Sequence, residues 1–142
     1  MVKTIDVVLI FGIFAFLILS VIDFKNGEIP LWIFISLYAV MLLIRVYQGN
    51  FPLFLMFSLV TTFFGTVFYY LGFWCVGDVL SLSMVGLMWG RLSIIFIPLL
   101  FMYVGIWSFI DVLVRERKIN LNSSARIIPA FLITHVIMLI FI

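Results

Sequence analysis

Six acidic side chains occur in this chain of 142 residues, and two of them stand where an apolar run meets a polar break. Asp23 ends the first apolar run, in "VIDFKNGE", and Asp78 begins a later one, in "VGDVLSLSM". Two carboxylates held close together at the edge of a medium of low dielectric constant cannot both ionise at low cost, so the pair shares one proton. Such a pair can hydrolyse a peptide bond, because the ionised member activates water while the protonated member polarises the carbonyl group. The remaining acidic residues are Asp6, Glu28, Asp111 and Glu116.

The composition predicts an integral membrane protein. Hydrophobic residues make up 67% of the chain and charged residues 10%, with a mean hydropathy of +1.42. A soluble domain has a far more even balance. The net charge of +2 leaves no basic surface dense enough to indicate nucleic-acid binding. The single cysteine, Cys75, excludes an intramolecular disulfide and a cysteine-rich zinc site.

Apolar runs separated by short polar breaks predict an all-α fold: one domain, residues 1–142, forming a polytopic bundle of about six transmembrane helices. The fourth run has about 12 residues, or roughly 18 Å, too short to cross a hydrocarbon core of about 30 Å alone. It is therefore either a partial span or half of a longer helix that reaches Ile97. The fifth run begins at either Leu92 or Pro98. The predicted runs are 5–22, 29–46, 52–74, 78–89, 92–114 or 98–114, and 127–142.

The basic residues predict an orientation, because cytoplasmic loops carry an excess of Lys and Arg. Lys25 and the four basic residues of "RERKINLNSSAR" fall on one side of the predicted bundle, which should face the cytoplasm. Asp23 and Asp78 fall on this same side although they are 55 positions apart, since one descending and one ascending helix separate them. The opposite side receives the other three basic residues, Lys3, Arg45 and Arg91.

Each acidic residue near a predicted helix end also has a purely structural interpretation. Asp78 could be the N-cap of the fourth helix, where its carboxylate would satisfy unpaired N–H groups. Asp23 could be a solvated turn residue at the membrane interface. Asp111 is expected to form an ion pair with Arg115, one helical turn later.

Other polar and small residues have weaker links to chemistry. His135, inside the last helix, is expected to make a hydrogen bond to another helix. Gly65, Gly86 and Gly105 predict positions where helices pack closely. Cys75 is given no catalytic role, because no histidine lies near it in the sequence and no second cysteine is available.

Three segments resemble a known family of enzymes. In "DFKNGEIP", residues 23–30, an aspartate is followed six residues later by Ile-Pro, and "GDVLSLSMVGLMWG", residues 77–90, has glycines at matching places after an aspartate. "RIIPAFLITH", residues 126–135, is similar to a closing helix that opens with a Pro-x-Phe-like pattern. In order and spacing, these segments resemble the type IV prepilin peptidases and archaeal preflagellin peptidases, which are GxGD-type intramembrane aspartyl peptidases.

The resemblance implies that Asp23 and Asp78 are the catalytic pair. It implies cleavage of the short basic leader from prepilin-like or preflagellin-like substrates at the cytoplasmic face of the plasma membrane, just ahead of the hydrophobic helix. No metal or organic cofactor is implied, and the implied partners are the protein substrate and membrane lipid. The chain would be a small form without the methyltransferase region, so N-methylation of the trimmed substrate is not expected.

The chain departs from the family pattern at Cys75, where the first glycine of Gly-x-Gly-Asp is expected, at Leu80, where many members have lysine, and at Leu31. These departures leave open a second function, that of a catalytically inactive member serving as an assembly or scaffold subunit of a pilus or secretion system. A third possibility is a small proton-coupled transporter. Transport favours carboxylates near the middle of the bilayer, whereas Asp23 and Asp78 are predicted at helix ends.

Overall fold

The computed structural model describes residues 6–26, 29–116 and 128–141, and within these ranges it contains helices and no strands. The predicted all-α fold is therefore confirmed. A single 3₁₀ turn, Gly90–Leu92, separates the fourth helix from the fifth. The six α-helices are α1 Val7–Asn26, α2 Leu31–Tyr47, α3 Phe51–Tyr70, α4 Val76–Trp89, α5 Ser93–Glu116 and α6 Ile128–Phe141.

The break between α4 and α5 shows that the fourth apolar run does not continue as one unbroken helix to Ile97. Gly90 has φ +51° and ψ −120°, a backbone conformation that residues other than glycine rarely adopt. This conformation is not helical, so α4 ends at Trp89. α5 then begins at Ser93 and includes Pro98, which the sequence had offered as an alternative start. The third helix ends at Tyr70, four residues earlier than predicted, because Gly72 and Phe73 turn the chain before Trp74.

The helices run alternately in opposite directions. Arg45, near the end of α2, donates hydrogen bonds to Asp6, just before α1, and to the carbonyl oxygens of Leu87 and Met88 near the end of α4. The start of α1 and the ends of α2 and α4 therefore lie together, at what we call the Arg45 end of the bundle. The end of α1 and the starts of α2 and α4 lie at the opposite end, which we call the Asp23 end.

α4 is the central helix, and it contacts each of the other five. Every residue from Ser81 to Gly90 is buried. Its tightest neighbour is α3, where a Cβ placed on Gly86 would lie only 2.6 Å from the backbone nitrogen of Ser58. The hydroxyl of Ser58 also donates a hydrogen bond to the carbonyl oxygen of Ser83 at 3.0 Å. Close packing of α3 on α4 thus depends on small side chains at the interface.

The three glycines predicted at helix contacts do not behave alike. Gly65 faces Val79 of α4 and Gly86 faces Ser58 of α3, as predicted. The prediction for Gly105 was wrong, since a Cβ added there meets nothing within 4 Å among the described residues. A glycine in an apolar run indicates close packing only if the helix happens to turn that face toward a neighbour.

The outer surface of the bundle is apolar. Side chains such as Leu43, Phe63 and Val114 are each exposed over more than 65% of their surface. Two apolar stretches, Phe51–Tyr70 and Val76–Asp111, are long enough by length and composition to cross a membrane, although the second is interrupted at Gly90. The remaining apolar helices are shorter. A surface of this kind is unfavourable in water, because soluble proteins rarely expose large contiguous apolar patches.

Candidate active site

Asp78 lies in the first turn of α4, at the third helical position. Its carboxylate oxygen Oδ2 accepts a hydrogen bond from the backbone N–H of Cys75 at 2.9 Å. The Sγ atom of Cys75 in turn accepts from the backbone N–H of Asp78, which completes a capping box. The structural alternative in which Asp78 is itself the N-cap is wrong, because α4 begins earlier, at Val76, so Cys75 is the N-cap and Asp78 supports it from the third position.

Cys75 stands where the Gly-x-Gly-Asp pattern has its first glycine, and its side chain does not strain the backbone at this position. Cys75 has φ −96° and ψ 172°, an extended conformation that any residue adopts. Cysteine also contributes a hydrogen-bond acceptor that glycine lacks. Position 75 therefore tolerates a side chain in this fold, and the departure from the family pattern leaves the start of α4 intact.

The surroundings of Cys75 disfavour the thiolate form of its side chain. The residue is exposed, but partial desolvation of the sulfur raises the pKa of its thiol, and the neighbouring Asp78 carboxylate raises that pKa further. A thiol with a raised pKa holds less of the reactive thiolate at neutral pH. The sequence interpretation, which gives Cys75 no catalytic role, stays a prediction.

Asp23 lies in the last turn of α1 and is only 7% exposed, while Asp78 is 5% exposed. Gly12 of α1 packs against the side chain of Met88 of α4, which relates the two antiparallel helices to each other. Asp23 follows Gly12 by eleven residues, and Asp78 precedes Met88 by ten. At 1.5 Å per residue these are distances of about 16 Å and about 15 Å toward the same end. The fold thus brings two buried aspartates to one end of the bundle.

Asp111 is a third buried carboxyl group, 5% exposed, in the last two turns of α5. α5 runs toward the Asp23 end, since Trp107 and Lys25 line the same groove. The expected ion pair of Asp111 with Arg115 lies outside the described side chains. Its burial makes Asp111 a necessary comparison for any test of Asp23 and Asp78.

A groove of about 290 Å³ opens between α1, α5 and α6 beside the turns that precede Asp23. Its wall is largely apolar. The hydroxyl of Ser20, which lies on this wall, is buried and has no hydrogen-bond partner in the described part of the chain. The lining residues are Leu17, Ser20, Val21, Lys25, Trp107, Pro129 and Leu132.

His135 makes the hydrogen bond between helices that the sequence predicted. Its Nδ1 atom accepts from the indole N–H of Trp89, at the end of α4, over 3.3 Å. The imidazole is fully buried, with the rings of Phe16 and Phe96 at centroid distances of 4.5 and 4.7 Å. His135 therefore ties α6 to α4 inside an aromatic cluster.

Arg45 is the polar residue whose position the sequence did not predict. The sequence places Arg45 among the basic residues near helix ends that report on orientation, yet it is 1% exposed and forms an ion pair with Asp6 at 2.7 Å. The only signal in the sequence was an arginine among apolar residues, "LLIRVY", which identifies no partner. Its carbonyl partners lie more than 40 positions away, so tertiary packing alone shows where this side chain goes.

Across the residues that the structure describes, no three His, Cys, Asp or Glu side chains come together as metal ligands. Comparison of the chain with models of protein families, with curated proteins and with solved structures finds no match.

Proposed function

We propose that this chain is an intramembrane aspartyl endopeptidase that removes the short basic leader from prepilin-like or preflagellin-like substrates. The observation that carries the proposal is the presence of two buried aspartates, Asp23 and Asp78, at one end of a helical bundle. Burial of an acidic side chain is unfavourable unless it is paired, hydrogen-bonded or protonated, and buried carboxyl groups of this kind are enriched at functional sites. The resemblance of the two flanking segments to the prepilin peptidases adds the reaction and the substrate class.

A location in the plasma membrane, with about six spanning helices, is part of the proposal. It is supported by the apolar outer surface, by two stretches of sufficient length and by the alternation of helix direction. α4 has only 14 residues, but it is surrounded by other helices and so needs no lipid contact along its full length. We propose that the Asp23 end faces the cytoplasm, because the sequence predicts an excess of Lys and Arg in the loops on that side of the membrane.

The proposed reaction needs the two carboxyl groups in different protonation states. One carboxylate removes a proton from a water molecule, whose oxygen attacks the carbonyl carbon of the scissile bond. The protonated carboxyl group of its partner donates a hydrogen bond to the carbonyl oxygen as negative charge develops there. Transfer of a proton to the departing amine then breaks the peptide bond and releases the leader.

The position of the two aspartates favours a substrate with a polar segment followed by an apolar one. At a helix end near the membrane surface, the leader stays in water while the mature apolar helix lies in lipid or along the groove beside α1. Peptide groups deeper in the bilayer remain hydrogen-bonded within a helix and resist attack. Cleavage is therefore expected at the junction, just before an apolar stretch of about 20 residues.

A second candidate function is that of an inactive family member that acts as an assembly or scaffold subunit of a pilus or secretion system. The hydrogen bond between Asp78 and Cys75 favours it, because this contact gives Asp78 a purely structural use. The same contact is compatible with catalysis, since it occupies only one of the two carboxylate oxygens. An activity assay is needed to separate the two functions.

The experiment is co-expression with prepilin-like candidates, followed by detection of leader removal as a mobility shift and mapping of the new N-terminus by mass spectrometry. A second substrate carries the basic-to-apolar junction displaced by several residues. We expect cleavage to follow the junction, preceded by a small residue, such as glycine, whose backbone can approach two carboxylates closely. Cleavage that persisted in a chain carrying both Asp23→Asn and Asp78→Asn would show that a contaminating peptidase is responsible. Absence of cleavage across the candidate substrates would favour the scaffold function.

A further inference from the structure

Arg45 forms the most extensive polar cluster in the described part of the chain, far from the two aspartates. Its guanidinium donates to Asp6 Oδ2 at 2.7 Å and to the side-chain oxygen of Gln48 at 2.9 Å. It also donates to the carbonyl oxygens of Leu87 at 2.8 Å and Met88 at 2.9 Å. The ring of Phe54 lies beneath it, with its centroid 3.5 Å from Cζ. The planar guanidinium suits such a site, because its five N–H groups point in fixed directions.

Apart from Gln48 and Phe54, the partners of Arg45 lie at the ends of two other helices, α1 and α4. Asp6 caps the start of α1, since its Oδ1 atom accepts from the N–H of Val8 at 3.0 Å. Leu87 and Met88 lie in the last turn of α4, where carbonyl groups have no partner within their own helix. One side chain therefore joins the start of α1 to the end of α4. These are the two helices that carry Asp23 and Asp78 at their other ends.

We propose that Arg45 is a positioning residue that fixes α1 and α4 relative to each other along their axes, and thereby sets the spacing of the two carboxyl groups. This inference rests on the proposed function. A helix behaves as a stiff rod over the distances concerned, about 25 Å from Asp6 to Asp23 and about 14 Å from Leu87 to Asp78. A slip of one residue along either helix moves its aspartate by about 1.5 Å, and a misplacement of about 1 Å can cost roughly 10²-fold in rate.

A merely stabilising role for Arg45 predicts a different result from a positioning role. Loss of stability lowers the amount of folded protein and leaves the folded fraction with its normal geometry. Loss of position leaves a folded protein whose aspartates are wrongly spaced. A direct measure of the spacing, independent of activity, therefore separates the two roles.

The experiment replaces Cys75 with alanine and both aspartates with cysteine, and then measures cross-linking by thiol reagents of graded length. The same measurement is made with Arg45→Lys, which keeps the positive charge but loses the planar fork. Arg91→Lys is the matched control, since Arg91 is exposed at the same end of the bundle. We expect Arg45→Lys to shift the reagent length that gives the highest yield, and Arg91→Lys to leave it unchanged. In the chain with native aspartates, Arg45→Lys should lower kcat by about tenfold or more with little change in KM.

A folded Arg45→Lys protein with the parental cross-linking profile would overturn the proposal, whatever its activity. The proposal would also be overturned if the two cysteines failed to cross-link with every reagent in the parent protein, which keeps Arg45. If Arg45→Lys does not fold, Asp6→Asn takes its place under the same criteria, because asparagine still caps α1 but removes the charge. If cross-linking depends on Arg45 while the chain with native aspartates cleaves no substrate, the positioning role is supported and the peptidase function is rejected.

Discussion

The carboxylate of Asp78 accepts a hydrogen bond from the backbone N–H of Cys75 at 2.9 Å, while the N–H of Asp78 points back to the Cys75 sulfur. This reciprocal contact holds the first turn of α4 and leaves the second oxygen of Asp78 to other partners. Asparagine has a side-chain oxygen that accepts the same hydrogen bond, but it cannot exchange a proton near neutral pH. The structural and chemical uses of Asp78 are therefore separable by substitution.

Asp78→Asn and Asp23→Asn are each expected to abolish cleavage and leave the protein folded and inserted. Each substitution preserves the size of the side chain and removes its capacity for proton transfer. Asp78→Ala should in addition lose the capping contact and destabilise the fold by about 1 kcal/mol. Cleavage is measured with a co-expressed substrate, and stability by thermal unfolding in detergent.

Asp111→Asn is the control for these variants, because Asp111 is equally buried and lies toward the same end. It should retain most of the activity. Near wild-type cleavage by either Asp23→Asn or Asp78→Asn would reject the proposed pair. A complete loss with folded Asp111→Asn would transfer the catalytic assignment to that residue.

Cys75 can report the orientation of the bundle, since it is exposed and is the chain's single thiol. We expect a membrane-impermeant maleimide to label it in inverted vesicles and to spare it in intact cells. The comparison requires intact cells whose membrane excludes the reagent. A cytoplasmic protein with a surface thiol is therefore the control, and it should remain unlabelled in intact cells. The reverse pattern would place Asp23 and Asp78 on the outer face and contradict the proposed topology.

The rate of that labelling should depend strongly on pH. Desolvation and the Asp78 carboxylate raise the pKa of the Cys75 thiol, so the reactive thiolate is scarce at neutral pH and increases as the pH rises. Asp78→Asn removes the negative charge and should lower this pKa, which speeds labelling at a given pH. The measurement is the maleimide reaction rate in detergent across alkaline pH. Equal rates for the two proteins would show that the carboxylate does not influence the thiol.

Gly86→Ala should destabilise the bundle, because the added Cβ would lie 2.6 Å from the backbone nitrogen of Ser58. The resulting displacement of α3 from α4 should lower the free energy of unfolding by about 1–3 kcal/mol or more. Gly105→Ala is the matched control, since the added Cβ meets nothing within 4 Å in the described residues, and its effect should stay within about 1 kcal/mol. Thermal unfolding in detergent measures both, and equal stabilities would contradict the α3–α4 packing.

Local information in the sequence predicted the helices and the placement of Asp23 and Asp78 at helix ends. Runs of apolar residues and the polar breaks between them define helices, because a chain in an apolar environment must satisfy its own backbone hydrogen bonds. Alternation of helix direction then brings both aspartates to one end of the bundle. These features depend on neighbours in sequence and on simple connectivity, so they could be inferred without a structure.

Only the tertiary structure decided how individual side chains are used. It buried Arg45 against carbonyl oxygens more than 40 positions away, gave Cys75 the N-cap of α4, and separated Gly86, which is at a helix contact, from Gly105, which is not. Each outcome depends on how far a helix is rotated about its axis and where a distant helix ends. The sequence pattern, with apolar residues on nearly every face, does not determine that rotation, whereas close packing of one helix on another does.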